Sequence, residues 1–169
     1  FKNMFKGCTS LTTSPKLNLG ELKLSSCEGM FYGCSSLEEA PSLSFPNTPA
    51  LGEACYKNMF AYCTSLKNPP MLPQPNLKPS CYEGMFEGCT SLAMAPELLA
   101  TDLVSACYKR MFYGCTSLKF ISTKFSDWKY SSTDTNSPTY QWVANVSAYG
   151  TFLGAEDIMS KPIYDIHHI

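Results

Sequence analysis

The sequence predicts a repeat solenoid of about five coils, closed at its C-terminal end by a capping segment. Three observations carry that prediction. The octapeptide "MFYGCTSL" at 111–118 is preceded by near copies at 85–92, 59–66, 30–37 and 4–11. The copies follow one another at an almost constant step. No single copy holds enough apolar surface to bury its own stripe, so the units must bury it against each other.

Met4, Met30, Met59, Met85 and Met111 set the register, with steps of 26, 29, 26 and 26 residues. That period lies in the roughly 20–29 residue range of leucine-rich repeats. Three sets of leucines keep the same phase. Leu11, Leu37, Leu66, Leu92 and Leu118 follow each methionine, Leu17, Leu43, Leu72 and Leu98 come next, and Leu22, Leu51, Leu77 and Leu103 precede the next methionine. Prolines recur at 15, 41, 70 and 96. The longer step is accounted for by extra residues within "SFPNTPA", 44–50, whose two prolines mark a surface loop.

Within a unit, "LVSACYKRMFYGC" places Leu103, Cys107, Met111 and Phe112 as one stripe of a short helix. The glycine before each cysteine is expected to end that helix, because it takes the left-handed conformation cheaply. "CTSLxxAPxL" then reads as an extended segment on the opposite side, with proline excluding helix. The expected coil is thus one short helix plus one strand in about 26 residues.

The repeat loses its signature after Ile121, where Ser122 replaces the expected proline. The array is therefore assigned to 1–121. Residues 122–139, which include the Ser/Thr-rich "SDWKYSSTDTNSPT", read as a loop, and 140–169 as a cap carrying Trp142, Val143, Val146, Tyr149, Phe152, Leu153 and Ile158. Opening at Phe1, inside a repeat, the chain reads as a piece of a longer precursor.

Nine cysteines raise the question of chemistry or packing. No CxxC occurs, and the paired cysteines of a unit stand eight residues apart, which is not zinc-finger spacing. On a helix that spacing separates the Cα atoms by about 12 Å, too far for a disulfide. The expectation is a ladder of small buried thiols, Cys8, Cys34, Cys63, Cys89 and Cys115, each packing as a hydrophobe with a weak S–H donor for nearby backbone. Cross-linking between adjacent rungs stays open as an alternative. The methionine column reads as core in the same way.

Composition excludes several classes of function. The chain is 44% apolar with a formal net charge of −1, and no basic run marks a nucleic-acid surface. No apolar stretch approaches the roughly 18–20 residues of a membrane span, so membrane insertion is not expected. No GxSxG, HExxH, GxGxxG or P-loop occurs, and the only histidines, His167 and His168, lie together near the C-terminus. The serines of the "CTSL" motif recur in every copy, whereas a nucleophile is needed once. We expect no catalysis, cofactor or metal. Asn145-Val146-Ser147 satisfies a glycosylation sequon, relevant only to a eukaryotic source.

The pattern "CYxxMFxGCTSLxxAPxL", fullest at 81–98, resembles the BspA-like leucine-rich repeats of bacterial surface proteins. The likeness covers roughly 1–121 and about ten positions per unit; Cys27, Tyr62 and Pro69 depart from it locally. The resemblance implies a right-handed solenoid on a secreted or cell-surface protein, with adhesion to host matrix proteins or other cells as its role. Related repeats in phage-borne and parasite proteins leave the host structure open.

Positions that vary between units would line the ligand surface. The variable positions include the residues before each "GC" or its equivalent, namely Lys6, Tyr32, Ala61, Glu87 and Tyr113. As binding residues for a protein or glycan we select Tyr32, Glu38, Glu39, Lys67, Glu97 and Tyr113, because tyrosine concentrates binding energy and charges set register. The expected function is a non-catalytic recognition or adhesion module. The alternative is an architectural spacer, or a phage-borne receptor-binding fragment that holds another domain.

Overall fold

A computed structural model describes residues 1–19, 21–43, 50–72, 76–125 and 133–143, together with the backbone of 151–153 and 161–162. Most of the 44–50 loop, the sequon and the C-terminal histidines lie outside the described residues.

Alternate peptide groups of the methionine segment point along the stack. In the second unit Ser25, Cys27, Gly29, Phe31 and Gly33 donate N–H bonds to the carbonyls of Glu53, Cys55, Lys57, Met59 and Ala61. The third unit repeats this upward, with Ala54, Tyr56, Asn58, Phe60 and Tyr62 donating to Pro79, Cys81, Glu83, Met85 and Glu87. The N–H groups in between close turns inside their own coil: Met59 donates to Tyr56, Ala61 to Asn58 and Cys63 to Phe60. Every backbone donor in this stretch is thereby paired, as a buried segment requires.

This overturns the expected helix. Among the described residues there is no α-helix, and the methionine segment is a run of turns. The physical reason lies in the backbone sign. Positive φ recurs every fourth residue, at Ala54 (51°), Asn58 (53°) and Tyr62 (61°), and at Ser80 (54°), Gly84 (60°) and Gly88 (71°). A right-handed helix tolerates none of these in its interior. An apolar residue every fourth position satisfies both a helix stripe and this turn chain, so the spacing alone could not separate them.

Opposite the turns, the segment after each leucine is extended. Among the described residues it pairs in parallel at single bridges, Thr13 with Glu39, Glu39 with Asn68 and Leu98 with Thr123. Regular strand appears at β1 (Phe120–Ser122), parallel to β2 (Thr151–Leu153), which pairs antiparallel with β3 (Lys161–Pro162).

Stacking also continues through part of the segment assigned to a loop. Ala106, Tyr108, Arg110 and Phe112 donate to the carbonyls of Asn136, Pro138, Tyr140 and Trp142. Residues 136–142 thus form a sixth rung, and Gln141 keeps the positive φ (51°) of its column. The offset from Met111 to Trp142 is the same 31 residues as that from Phe120 to its partner Thr151.

Between turns and bridges runs the core. Phe5, Phe31, Phe60, Phe86 and Phe112 stack with centroids 5.2, 5.5, 5.8 and 5.8 Å apart. A second file, Tyr56, Tyr82 and Tyr108, stacks at 5.9 and 6.0 Å and ends on Phe125. Trp142 closes both, tilted against Phe112 and Phe125. Each buried ring is worth about 1.5–3 kcal/mol, with roughly 0.5–1.5 more per aromatic pair. Met30, Met59, Met85 and Met111 are fully buried, but Met4 is 53% exposed.

The thiol ladder shows the same end effect. Cys34, Cys63, Cys89 and Cys115 are buried, and each donates its S–H to the phenylalanine carbonyl one rung below: Phe5, Phe31, Phe60 and Phe86, at 3.0–3.1 Å. Cys8 was expected to be the fifth buried rung and is exposed instead. No described coil lies on its outer side. None of the nine cysteines forms a disulfide.

Candidate functional site: a tyrosine, glutamate and arginine strip across the turns

The turn segment presents one row of side chains that are linked from rung to rung. It begins with the Lys6 ammonium 4.8 Å above the Tyr32 ring, which meets the Tyr62 ring at 5.3 Å. Tyr62 then donates its hydroxyl to Glu87 Oε1 at 2.9 Å. Arg110 grips the same carboxylate with both arms, Nη2 to Oε1 at 2.7 Å and Nε to Oε2 at 3.1 Å. Its remaining arm reaches Gln141 Oε1 at 2.9 Å, and its guanidinium lies 3.8 Å from the Tyr113 ring centroid.

Local sequence explains how this row is placed. Tyr62 occupies a column otherwise filled by Gly7, Gly33, Gly88 and Gly114, all at positive φ. Its ring lies over Gly88, where an added Cβ would come within 2.6 Å of Tyr62 Cδ1. The missing side chain of Gly88 is what lets Tyr62 reach Glu87. Arg110 likewise stands, at φ 52°, in the column of Asn3, Gly29, Asn58 and Gly84.

The electrostatics follow from these contacts. The Glu87 carboxylate, hydrogen-bonded to the phenol, raises the Tyr62 pKa, with partial burial adding to the effect. That carboxylate also holds Arg110 more firmly protonated. A two-pronged arginine–carboxylate pair fixes geometry as well as charge. Tyr62 keeps 43% of its surface exposed, so the strip is braced from within and open on its outer side.

The residues selected from sequence do not form one face. Tyr32 and Tyr113 belong to the turn strip. Glu38, Glu39 and Lys67 stand at the bridge column, where Lys67 Nζ meets Glu38 at 3.1 Å and the Asn68 amide donates to Glu39 at 3.4 Å. Glu97 lies further along the coil, paired with Lys124 at 3.4 Å. These bridge-side pairs are half exposed or more, and such pairs hold little energy.

Tyr62, Arg110 and Gln141 escaped sequence reasoning. Tyr62 looked like a local departure, and its signal was a bulky aromatic in a glycine column. Glu87 was counted only as a variable position. Between the first two units a concavity of about 350 Å³ is lined by Ser14, Pro15, Lys16, Leu17, Pro41 and Ser42. Its single charged group and proline walls offer no acid–base pair. Among the described residues no helix is long and apolar enough to cross a membrane.

Compared with known protein families, curated proteins and solved structures, the chain matches none. The strip must therefore be interpreted from its own chemistry.

Proposed function

We propose that the chain is a non-catalytic recognition module, a leucine-rich-repeat solenoid of the BspA-like kind, acting outside the cell or at its surface. It binds a protein or glycan through the turn strip. The observation that carries this reading is the Tyr62–Glu87–Arg110 linkage. Two exposed-edge tyrosines, Tyr32 and Tyr62, and a stacked Arg110–Tyr113 pair are held rigid across successive coils, so little side-chain entropy is lost on binding. One rung offers too little area for a stable interface of roughly 800 Å² per partner, whereas the strip spans several.

The test uses a panel of soluble matrix proteins and an immobilised glycan array. Wild type is compared with the Tyr32→Ala/Tyr62→Ala/Tyr113→Ala variant, after circular dichroism shows an unchanged fold. Binding by wild type that drops at least about tenfold in the variant supports the reading. Binding that survives moves recognition off the strip. No binding across the panel favours the spacer reading, which the internally paired charges of the stack also fit.

A further inference from the structure

On the outward side of the turn segment, Glu28, Glu83 and Glu87 are each already engaged. Glu28 accepts from Lys2 and Ser25. Glu83 meets Lys57 at 3.1 Å through Oε2 and Lys109 at 3.6 Å through Oε1. Both oxygens of Glu87 hold Arg110, and one of them also accepts from Tyr62. The side chains of Glu83 and Glu87 are 14% and 15% exposed, against 33%, 22% and 30% for Lys57, Lys109 and Arg110. The acids are thus drawn in, and the cations lie outside them. Glu53, exposed one turn before Lys57, bounds this face on one side.

The donors, by contrast, are not spent. Arg110 has five N–H groups and uses three, two on Glu87 and one on Gln141. Lys57 gives Glu83 one of its three. Lys109 stands too far from Glu83 for a hydrogen bond and rests 6.0 Å from the Tyr140 ring centroid. Tyrosine rings are covered in the same way, Tyr32 by Lys6 and Tyr113 by Arg110. What the face chiefly offers outward is N–H donors on positive charge, with its carboxylate acceptors taken up inside.

On the recognition reading proposed above, on which this rests, we infer that the ligand is an acidic polysaccharide. Its carboxylates or sulfates sit along Lys57, Lys109 and Arg110, and its chain runs along the stack. Unspent donors call for a ligand rich in acceptors, and the positive charge calls for an anion. The spacing favours a sugar chain. Lys57 and Lys109 hold equivalent positions two rungs apart, twice the 5.8 Å step of the phenylalanine file. A polysaccharide with one acid group on every second sugar advances by a similar length between charges. An extended peptide rises roughly 3.3 Å per residue, so its same-side acids recur at roughly 6.6 Å. A peptide also brings amide N–H groups, for which this face keeps few acceptors, whereas sugar hydroxyls can turn to accept.

The test titrates the full chain calorimetrically with chondroitin sulfate oligosaccharides. The same oligosaccharides after desulfation and carboxyl reduction are compared, as is poly-glutamate of equal charge. We expect the acidic oligosaccharide to bind, and removal of its acid groups to weaken it at least about tenfold. Raising salt from about 50 to about 300 mM should weaken it as well. Lys57→Gln/Glu83→Gln/Lys109→Gln removes the cations without stranding the Glu83 carboxylate. With its circular dichroism unchanged, this variant should lose at least about tenfold in affinity, while Lys57→Arg/Lys109→Arg should keep it. If the glutamine variant does not fold, the acid-stripped oligosaccharide and the salt series on wild type decide. Equal binding of the acid-stripped oligosaccharide would overturn the inference. So would undiminished binding by the folded glutamine variant, tighter binding of poly-glutamate, or no binding of the sulfated chain at low salt. A matrix protein whose binding still needs Tyr32, Tyr62 and Tyr113 would in those cases leave the recognition reading standing and this ligand excluded.

Discussion

The thiol of Cys89 donates a hydrogen bond to the backbone carbonyl of Phe60, one coil away, at 3.1 Å. That carbonyl already accepts the N–H of Cys63 within its own coil, so one oxygen joins two rungs. The same double use recurs at Phe31, which accepts from Cys34 and Cys63, and at Phe86, which accepts from Cys89 and Cys115. The repeated cysteine is therefore a packing residue that also supplies a donor pointing along the stack.

Substitution at Cys89 should follow that dual role. Cys89→Ala removes a buried sulfur and its weak bond and should cost about 1–2 kcal/mol. Cys89→Asp places an unpaired charge among buried side chains and should cost more than about 4 kcal/mol or prevent folding. Urea denaturation followed by tyrosine and tryptophan fluorescence measures both. An aspartate variant as stable as wild type would show position 89 to be open to water.

Thiol counting checks the ladder as a whole. Eight of the nine cysteines are buried and Cys8 is exposed. A native sample in mild alkylating reagent should lose one thiol quickly, and mass spectrometry should place the label on Cys8. In denaturant without reductant all nine should react. Rapid native labelling of Cys63 or Cys115 would contradict the stack.

Burial pushes the thiols of Cys63 and Cys115 up to about 12, and that of Cys27 to about 11, from 9.0. The unfolded chain therefore releases these protons first. Their contribution to stability is full below pH 9 and is lost as pH rises from about 9 toward 12. Each such thiol should steepen the decline by at most about 1.4 kcal/mol per pH unit. Cys63→Ala/Cys115→Ala should be less stable than wild type at pH 7 yet show a shallower alkaline fall, measured by urea midpoints in reductant from pH 8 to 11. Parallel pH curves for the two proteins would show that these thiols do not ionise differently on unfolding.

The hydroxyls of Tyr56 and Tyr82 are buried with no hydrogen-bond partner among the described residues, although their rings stack well. An unmet buried hydroxyl costs about 1–3 kcal/mol. Tyr82→Phe should therefore leave the melting temperature unchanged or raise it. A clear fall would mean that an ordered water serves the hydroxyl.

How much of this could be seen in the sequence differs by level. The register was fully legible, because the methionine, leucine and cysteine columns each recur at a fixed offset. Local geometry was not, since Leu103, Cys107 and Met111 fall four apart on a helix and on this turn chain alike. The alternation of Asn3, Gly29, Asn58 and Gly84 was the overlooked sign of positive φ. The sixth rung was hidden because Trp142 and Val143 replace the methionine and phenylalanine that mark the others. At the strip, residue type led to Tyr32 and Tyr113, but Tyr62 sits in a column of glycines and Arg110 in one that otherwise holds asparagine, glycine and glutamine. Their roles come only from which rung lies above which.

Gly84 tests the turn geometry most directly. It holds φ at 60°, and the Asn58 amide oxygen of the rung below occupies the space where a Cβ would stand. Gly7 is a useful control, because it holds φ at 75° with nothing within 4 Å of the place a Cβ would take. Gly7→Ala should cost only the left-handed strain, about 1 kcal/mol. Gly84→Ala adds a clash with Asn58 and should cost about 2–4 kcal/mol. Replacing the obstacle should recover the difference: in Asn58→Gly/Gly84→Ala the penalty of the alanine should shrink to that at Gly7. The coupling, read as a double-mutant cycle on urea denaturation, should exceed about 1 kcal/mol. Coupling near zero, with the two glycines equally costly to replace, would mean that Asn58 does not cover Gly84 and that the rungs are offset differently.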